Sequence, residues 1–251
     1  MNREHRLHTS HARAGRPHGD EPLFVSPQGT GVLPIMPSEA REDVAQLVHD
    51  LRSPISTIGL ELEMLGAADQ LAMKRIVRNL EFLDRIVQDL LDSYAIDAGE
   101  LEIRRVPTEL RALLERVIDR VVSTRDRGRV VLEAGHGVTL GVDPLRIERV
   151  VANLIGNAIK YAPSGSRIVV RLDIGPRNVQ LSVTDTGPGM SPDEVAYVFD
   201  KHRRTPSAHV YEGSGIGLYV SKNIIEAHGG RIGVDSVRGA GSRFYFELAL
   251  A

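Results

Sequence analysis

The chain shows no periodic apolar pattern over its first 37 residues and acquires one from Ser38 onward. Val44, Leu47, Leu51, Ile55, Ile58, Leu62 and Leu65 recur at steps of three and four, the spacing that keeps side chains on one helix face. Ser38 supplies an N-cap for this run. After the break Gly66-Ala67-Ala68-Asp69-Gln70, a second run of Met73, Ile76, Leu80, Leu83, Val87, Leu90 and Tyr94 keeps the same alternation. Together they predict an antiparallel helical hairpin over residues 38–95, each arm carrying a narrow apolar seam. Two helices cover two seams poorly, so a dimeric four-helix bundle is expected, with a hairpin packed on the rest of the chain as the alternative.

Gly99 and Pro107 mark residues 96–108 as a hinge, and beyond it the period changes repeatedly. VPTELRALLERVIDRVV, from Val106, reads as a helix with one apolar stripe. RVVLEA, VTLGV, RIVVRLDI, NVQLSVTD, RIGVDS and SRFYFELAL read as strands. Asp143-Pro144 combines an N-cap with a first-turn proline and opens a helix to about Tyr161. Ser191-Pro192-Asp193-Glu194 is a capping box for a short helix ending near Phe199. A last helix runs from about Gly215 to His228, stopped by Gly229-Gly230. Strands and helices interleave without regular alternation, which predicts an α+β chain whose second part, residues 109–251, is an α/β sandwich with a mixed sheet.

With 251 residues, 42% of them apolar, the chain is long enough for two modest domains. A formal charge of −2 gives no field that would gather nucleic acid or an anionic membrane. The absence of cysteine excludes disulfides and thiolate chemistry. No apolar run approaches the roughly 20 residues that cross a bilayer, and MNREHRLHTSHARAG lacks the apolar stretch of a signal peptide. A cytoplasmic protein without membrane insertion is therefore expected. Residues 1–37 read as a disordered or loosely packed arm, with His5, His8 and His11 in a solvated tail rather than a metal site. The eight arginines between Arg104 and Arg129 interleave with Glu109, Glu115, Asp119 and Asp126, which predicts a mixed solvated face.

On the helix from Asp143, the residues Asn153, Asn157, Lys160 and Tyr161 fall in one sector of about 100°. Amide oxygens suit a hard cation such as magnesium and a lysine suits phosphate, although on this helix alone a solvated face fits equally well. Asp185-Thr186-Gly187-Pro188-Gly189-Met190 leaves a strand and turns sharply, and its glycines let backbone approach a ligand. Gly213-Ser214-Gly215-Ile216-Gly217 precedes a helix whose N-terminus makes an anion site. VHDLRSPIS places His49, Asp50 and Pro54 inside an otherwise regular helical run, with His49 about 160° around from Leu51 and so facing away from the seam.

Six stretches, VHDLRSPIST, NLIGNAIKYAPSG, DTGPGM, VFDKHRRT, GSGIGLYVSKNIIEAHGG and GAGSRFYFEL, resemble in order the H, N, G1, F, G2 and G3 boxes of sensor histidine kinases. The resemblance covers residues 38–251 and implies a dimerisation and histidine-phosphotransfer hairpin followed by an ATP-binding domain of the GHKL (Bergerat) type. It implies that ATP phosphorylates His49, that the phosphoryl group passes to an aspartate in the receiver domain of a response regulator, and that Asp50 orients His49 and serves as general base. Asn157 then matches the magnesium ligand, Asn153 its phosphate-side companion, and Lys160 a phosphate contact, while Tyr161 lies near adenine. Asp185 reads the adenine amino group in a pocket shaped by Gly187 and Gly189. Gly213, Ser214, Gly215, Gly217 and Leu218 belong to the phosphate-binding turn, and residues 200–213 form a lid containing Arg204. Pro54 acts as a hinge beside the acceptor. Ser53 keeps a hydroxyl where relatives place a water for dephosphorylation. His202 and Arg203 depart from the family by replacing aromatic residues. With no sensor domain recognisable, the signal is expected through the arm, a ligand or a separate sensor protein. The alternatives are a nucleotide-binding regulatory scaffold and another GHKL ATPase or serine kinase.

Overall fold

The computed structural model of the protein describes residues 55–60, 62, 70–203 and 215–250. The N-terminal arm, most of the first hairpin helix and the break before the second lie outside the described residues. The second arm is α1, Gln70–Asp97. It ends as sequence chemistry dictates: Gly99 takes φ +71°, and the Glu100 N–H reaches back to the Ala95 carbonyl at 2.7 Å, a glycine-terminated helix end. The apolar surface of α1 is wider than the expected seam. Ile76 and Ile86 are buried, whereas Met73, Leu80, Val87 and Tyr94 are exposed together with Val77 and Leu91.

The helix expected from Val106 begins four residues later. Val106–Glu109 is strand β1, paired antiparallel with β3, Thr139–Val142. Pro107 is tolerated because a two-stranded ribbon leaves edges that need no donor. The Glu109 carboxylate accepts the N–H groups of Arg111 and Ala112, at 2.9 and 2.6 Å, and so caps α2, Leu110–Val121. The apolar period of α2 simply continues into β1, which hides the boundary.

Five strands form the main sheet: β2 Val130–Ala134, β4 Ile168–Ile174, β5 Asn178–Asp185, β6 Arg231–Val237 and β7 Gly241–Ala249, in the order β2-β4-β5-β7-β6. Only β2 and β4 run parallel, joined by the crossover helix α3, Pro144–Tyr161, so the sheet is mixed, as the irregular alternation predicts. Helix α4, Pro192–Tyr197, carries the expected capping box at Ser191 and Glu194, and α5 is Gly217–Ala227. Helices α2, α3 and α5 bury Leu113, Leu114, Ile147, Leu154, Ile155, Ile224 and Ile225 against the Ile168, Leu181 and Phe246 side of the sheet. The other face carries Arg171, Gln180, Arg243 and Glu247, which bond one another or Glu133.

Two polar devices tie this module to the chain before it. Asp143, the cap of α3, accepts the N–H groups of Arg146 and Arg104 at 3.2 and 3.0 Å. Its own N–H donates to Nε2 of buried His228 at 3.0 Å, while His228 Nδ1 donates to the Ile224 carbonyl at 2.7 Å. Both ring nitrogens are thus committed to a neutral imidazole, and burial holds its pKa below the usual value. The second device lies on α1. Asp92 pairs with Arg146 and Arg149, Asp89 pairs with Arg149 at 2.6 Å, and Asp97 receives Lys201 at 2.8 Å and the Tyr219 hydroxyl at 2.9 Å. Burial pushes the Asp89 carboxyl up, opposed by Arg149. The arginine-rich stretch is a mixed face: Arg111 pairs with Glu115, Arg116 and Arg120 with Glu148, Arg127 with Asp119, and Arg129 with Asp126. Among the described residues no helix is long and apolar enough to cross a membrane.

Candidate functional site

Helix α3 is the spine of the site. Its core side, Val151, Leu154, Ile155 and Ala158, is buried, which fixes its rotation and leaves Asn153, Asn157, Lys160 and Tyr161 half-buried beside it. Asn153 and Tyr161 are eight residues apart, about 12 Å along the axis. Each end of that stretch meets a different glycine turn.

At the Tyr161 end stands the turn after β5. Asp185 is 7% exposed, and its Oδ1 accepts the Gly187 N–H at 2.7 Å. Burial raises the Asp185 carboxyl above its usual range, while backbone N–H groups of Gly187 and Ser242 pull it down. A Cβ on Gly187 would lie 2.7 Å from Asp185 Oδ1 and 3.1 Å from the Tyr161 carbonyl oxygen, so Asp185, Gly187 and the end of α3 are brought together by the lack of a side chain. Gly189 needs glycine for two reasons, φ of +60° and a Cβ position 2.0 Å from the Val237 carbonyl oxygen. The turn is further held by Gly239 N–H to the Pro188 carbonyl at 2.7 Å, and by Arg238, which pairs with buried Glu194 at 2.8 Å. Lys160 Nζ lies 5.0 Å from the Tyr161 ring centroid, a cation over an aromatic face.

At the Asn153 end stands the start of α5. A Cβ on Gly217 would sit 2.7 Å from Asn153 Oδ1, so this glycine is a seat for the asparagine amide. Asn153 Nδ2 donates to Ser221 Oγ at 3.0 Å. Gly215 takes φ +70°, and Leu218 packs partly buried on the core. Phe199 meets Phe244 edge-on with centroids 6.3 Å apart, keeping the apolar anchor of its motif, whereas His202 adopts φ +58° in the following turn. A groove between Phe199–Lys201 and α5, lined also by Tyr219, Lys222, Asn223 and Glu226, includes Asp200 and Lys201 from the start of the expected lid but none of the residues expected to contact the nucleotide.

The structure thus gathers Asn153, Tyr161, Asp185, Gly187 and Gly217 around one helix, with Asn157 between the two ends. His49, Asp50, Ser53, Arg204, Gly213 and Ser214 lie outside the described residues. Sequence reasoning missed Ser221 and His228. The i,i+4 step from Gly217 to Ser221 is the only signal that could have pointed to the former.

Comparison with known proteins identifies two family modules in the chain. Residues 142–251 match the family described as histidine kinase-, DNA gyrase B- and HSP90-like ATPase, and residues 40–99 match the His Kinase A (phospho-acceptor) domain. The adaptive-response sensory kinase SasA of Synechococcus sp. (strain JA-3-3Ab) is 37% identical over 220 residues, covering 82% of this chain and 58% of its own length. The chain therefore spans a little over half the length of such curated relatives. The structure of the mycobacterial sensor histidine kinase MprB is 32% identical with a TM-score of 0.52, over 57% of this chain and 97% of that one. Full-length ShkA in complex with AMPPNP is 26% identical with a TM-score of 0.61, over 84% of this chain and 46% of that one. Carrying a phospho-acceptor module followed by an ATPase module of matching fold, the chain belongs to the histidine kinase family.

Proposed function

We propose that the protein is an ATP-dependent histidine kinase that phosphorylates its own His49 and passes the phosphoryl group to an aspartate in the receiver domain of a response regulator. Residues 38–95 are the dimerising phosphotransfer hairpin, 96–108 the hinge and 109–251 the catalytic module, acting in the cytoplasm where ATP is abundant. The observation that carries the reading is the convergence of two glycine turns on α3, one at each end of a polar stretch long enough for a nucleotide. Asp185, low in exposure and rich in acceptor capacity, receives the adenine amino group, with Gly187 and Gly189 giving the base its room and Tyr161 beside it. The start of α5 offers backbone N–H groups to the phosphates through Gly213, Ser214, Gly215 and Gly217, and Leu218 steadies that turn from the core. Lys160 and Arg204 add positive charge.

The Asn157 amide oxygen on α3 is a hard donor that fits a magnesium ion, which when bound neutralises charge on the phosphates, with Asn153 its phosphate-side companion. In the transfer, an imidazole nitrogen of His49 forms a bond to the γ-phosphorus as the bond from phosphorus to the bridging oxygen of ADP breaks. Asp50 takes the ring proton, and positioning supplies most of the rate. Ser53 positions the water that attacks the aspartyl phosphate of the regulator, breaking its acyl phosphate bond and releasing inorganic phosphate. The exposed apolar residues of α1 support the homodimer, and a separate sensor protein supplies the stimulus.

Incubation of the full chain with magnesium and γ-labelled ATP tests this, beside His49→Gln and Asn157→Ala. Acid-labile, base-stable label on the wild type and none on either variant is expected. Base-labile label, or label that survives His49→Gln, would overturn the assignment.

A further inference from the structure

Ser221 lies outside the turn that marks the start of α5, yet its hydroxyl decides how Asn153 is used. Ser221 Oγ lies 2.8 Å from the Gly217 carbonyl oxygen and 3.0 Å from Asn153 Nδ2. Two oxygens that close require a proton between them, and the carbonyl has none, so the hydroxyl hydrogen goes to Gly217. With its one hydrogen committed, Ser221 can only accept from Asn153, and the group facing it must be the NH2. The amide is therefore fixed in one of its two orientations. Its oxygen is turned toward the first residue of α5, 2.7 Å from the place a Cβ on Gly217 would occupy. Ser221 is 2% exposed, which shields the arrangement from solvent.

We propose that Ser221 is a positioning residue of the nucleotide site: it makes Asn153 an oxygen acceptor for the hydrated cation that accompanies the nucleotide, rather than an N–H donor to the phosphates. This rests on the nucleotide-binding reading above and refines the expectation that Asn153 is the phosphate-side companion of the magnesium ligand Asn157. Asn157, one turn along α3, brings a second amide to the same side, so two groups of one chemical type serve the cation and its water shell. The alternative orientation would put an NH2 where a cation needs oxygen, and removal of Ser221 lets the amide take it.

The test is equilibrium binding of ADP to the full chain, with magnesium and with EDTA, for wild type, Ser221→Ala and Ser221→Thr. Ser221→Ala is expected to leave the affinity in EDTA unchanged and to reduce the gain from magnesium about fivefold, the worth of one net hydrogen bond. Ser221→Thr keeps the hydroxyl and can bond the same carbonyl one turn back, so it restores the gain. An equal loss with and without magnesium would make Ser221 merely structural and overturn the proposal, as would no loss at all. A wild type that binds ADP without any magnesium gain overturns it too. A wild type that binds no nucleotide removes instead the reading on which it rests.

Discussion

Helix α1 and the sheet module it touches are held by opposite means. The module closes around Leu113, Leu114, Ile147, Leu154, Ile155 and Ile224, each 1% exposed or less. Helix α1 leaves Met73, Val77, Leu80, Val87, Leu91 and Tyr94 exposed and reaches the module through carboxylates, Asp89 and Asp92 to Arg146 and Arg149, and Asp97 to Lys201 and Tyr219. Apolar burial is non-directional and hard to reverse piecemeal, whereas a half-buried ion pair responds to salt and to loss of either partner. The contrast describes a rigid sheet body and an ion-paired attachment that yields to salt and to the loss of either partner.

The largest test of that contrast is in the core. Leu154→Ala should destabilise the module by about 2–5 kcal/mol in denaturant titrations, while Leu91→Ala should change the module's own unfolding by no more than about 0.5 kcal/mol. Comparable losses would mean that α1 shares the core after all. Asp92→Asn should weaken docking by about 1.5–3 kcal/mol, the range for hydrogen bonds to charged groups, seen as faster amide exchange in the last turns of α1 with exchange in β5 and β7 unchanged. Raised salt should mimic it. Uniform acceleration throughout the sheet would show that the two parts unfold as one.

The smallest effect concerns the node where the hinge meets the module. His228 is neutral in the fold, and burial first of all lowers its pKa below 6.5. The unfolded chain therefore takes up this proton first as pH falls, so the stabilisation is complete above about pH 6.5 and is lost as pH drops toward the folded value. The urea midpoint of the wild type should decline between about pH 7.5 and 5.5, and His228→Gln should flatten that slope. An unchanged slope in the variant would assign the decline to other groups.

Much of this was legible in the sequence because the signals are local. Asp143-Pro144 starts α3 wherever it occurs, and the Ser191–Glu194 box needs only four residues to declare itself. The convergence of Asn153, Asp185 and the glycine turns was readable only as an ordered set of motifs. What stayed hidden depends on partners distant in the chain. Asp89 and Asp92 look like solvated helix positions until Arg146 and Arg149 arrive from more than 50 residues away. Ser221 acquires meaning only from Asn153, and β1 was absorbed into the helix after it because its pairing strand lies beyond α2.

Val198 is 9% and Ile216 2% exposed, so the chain is pinned in the core on both sides of residues 204–214. Strands β5 and β7, which pair across that interval, take their register from each other and not from what lies between. The register of the sheet therefore rests on β5 and β7 themselves, and changes made between residues 204 and 214 should leave that register, and the sheet's hydrogen bonds, unaltered.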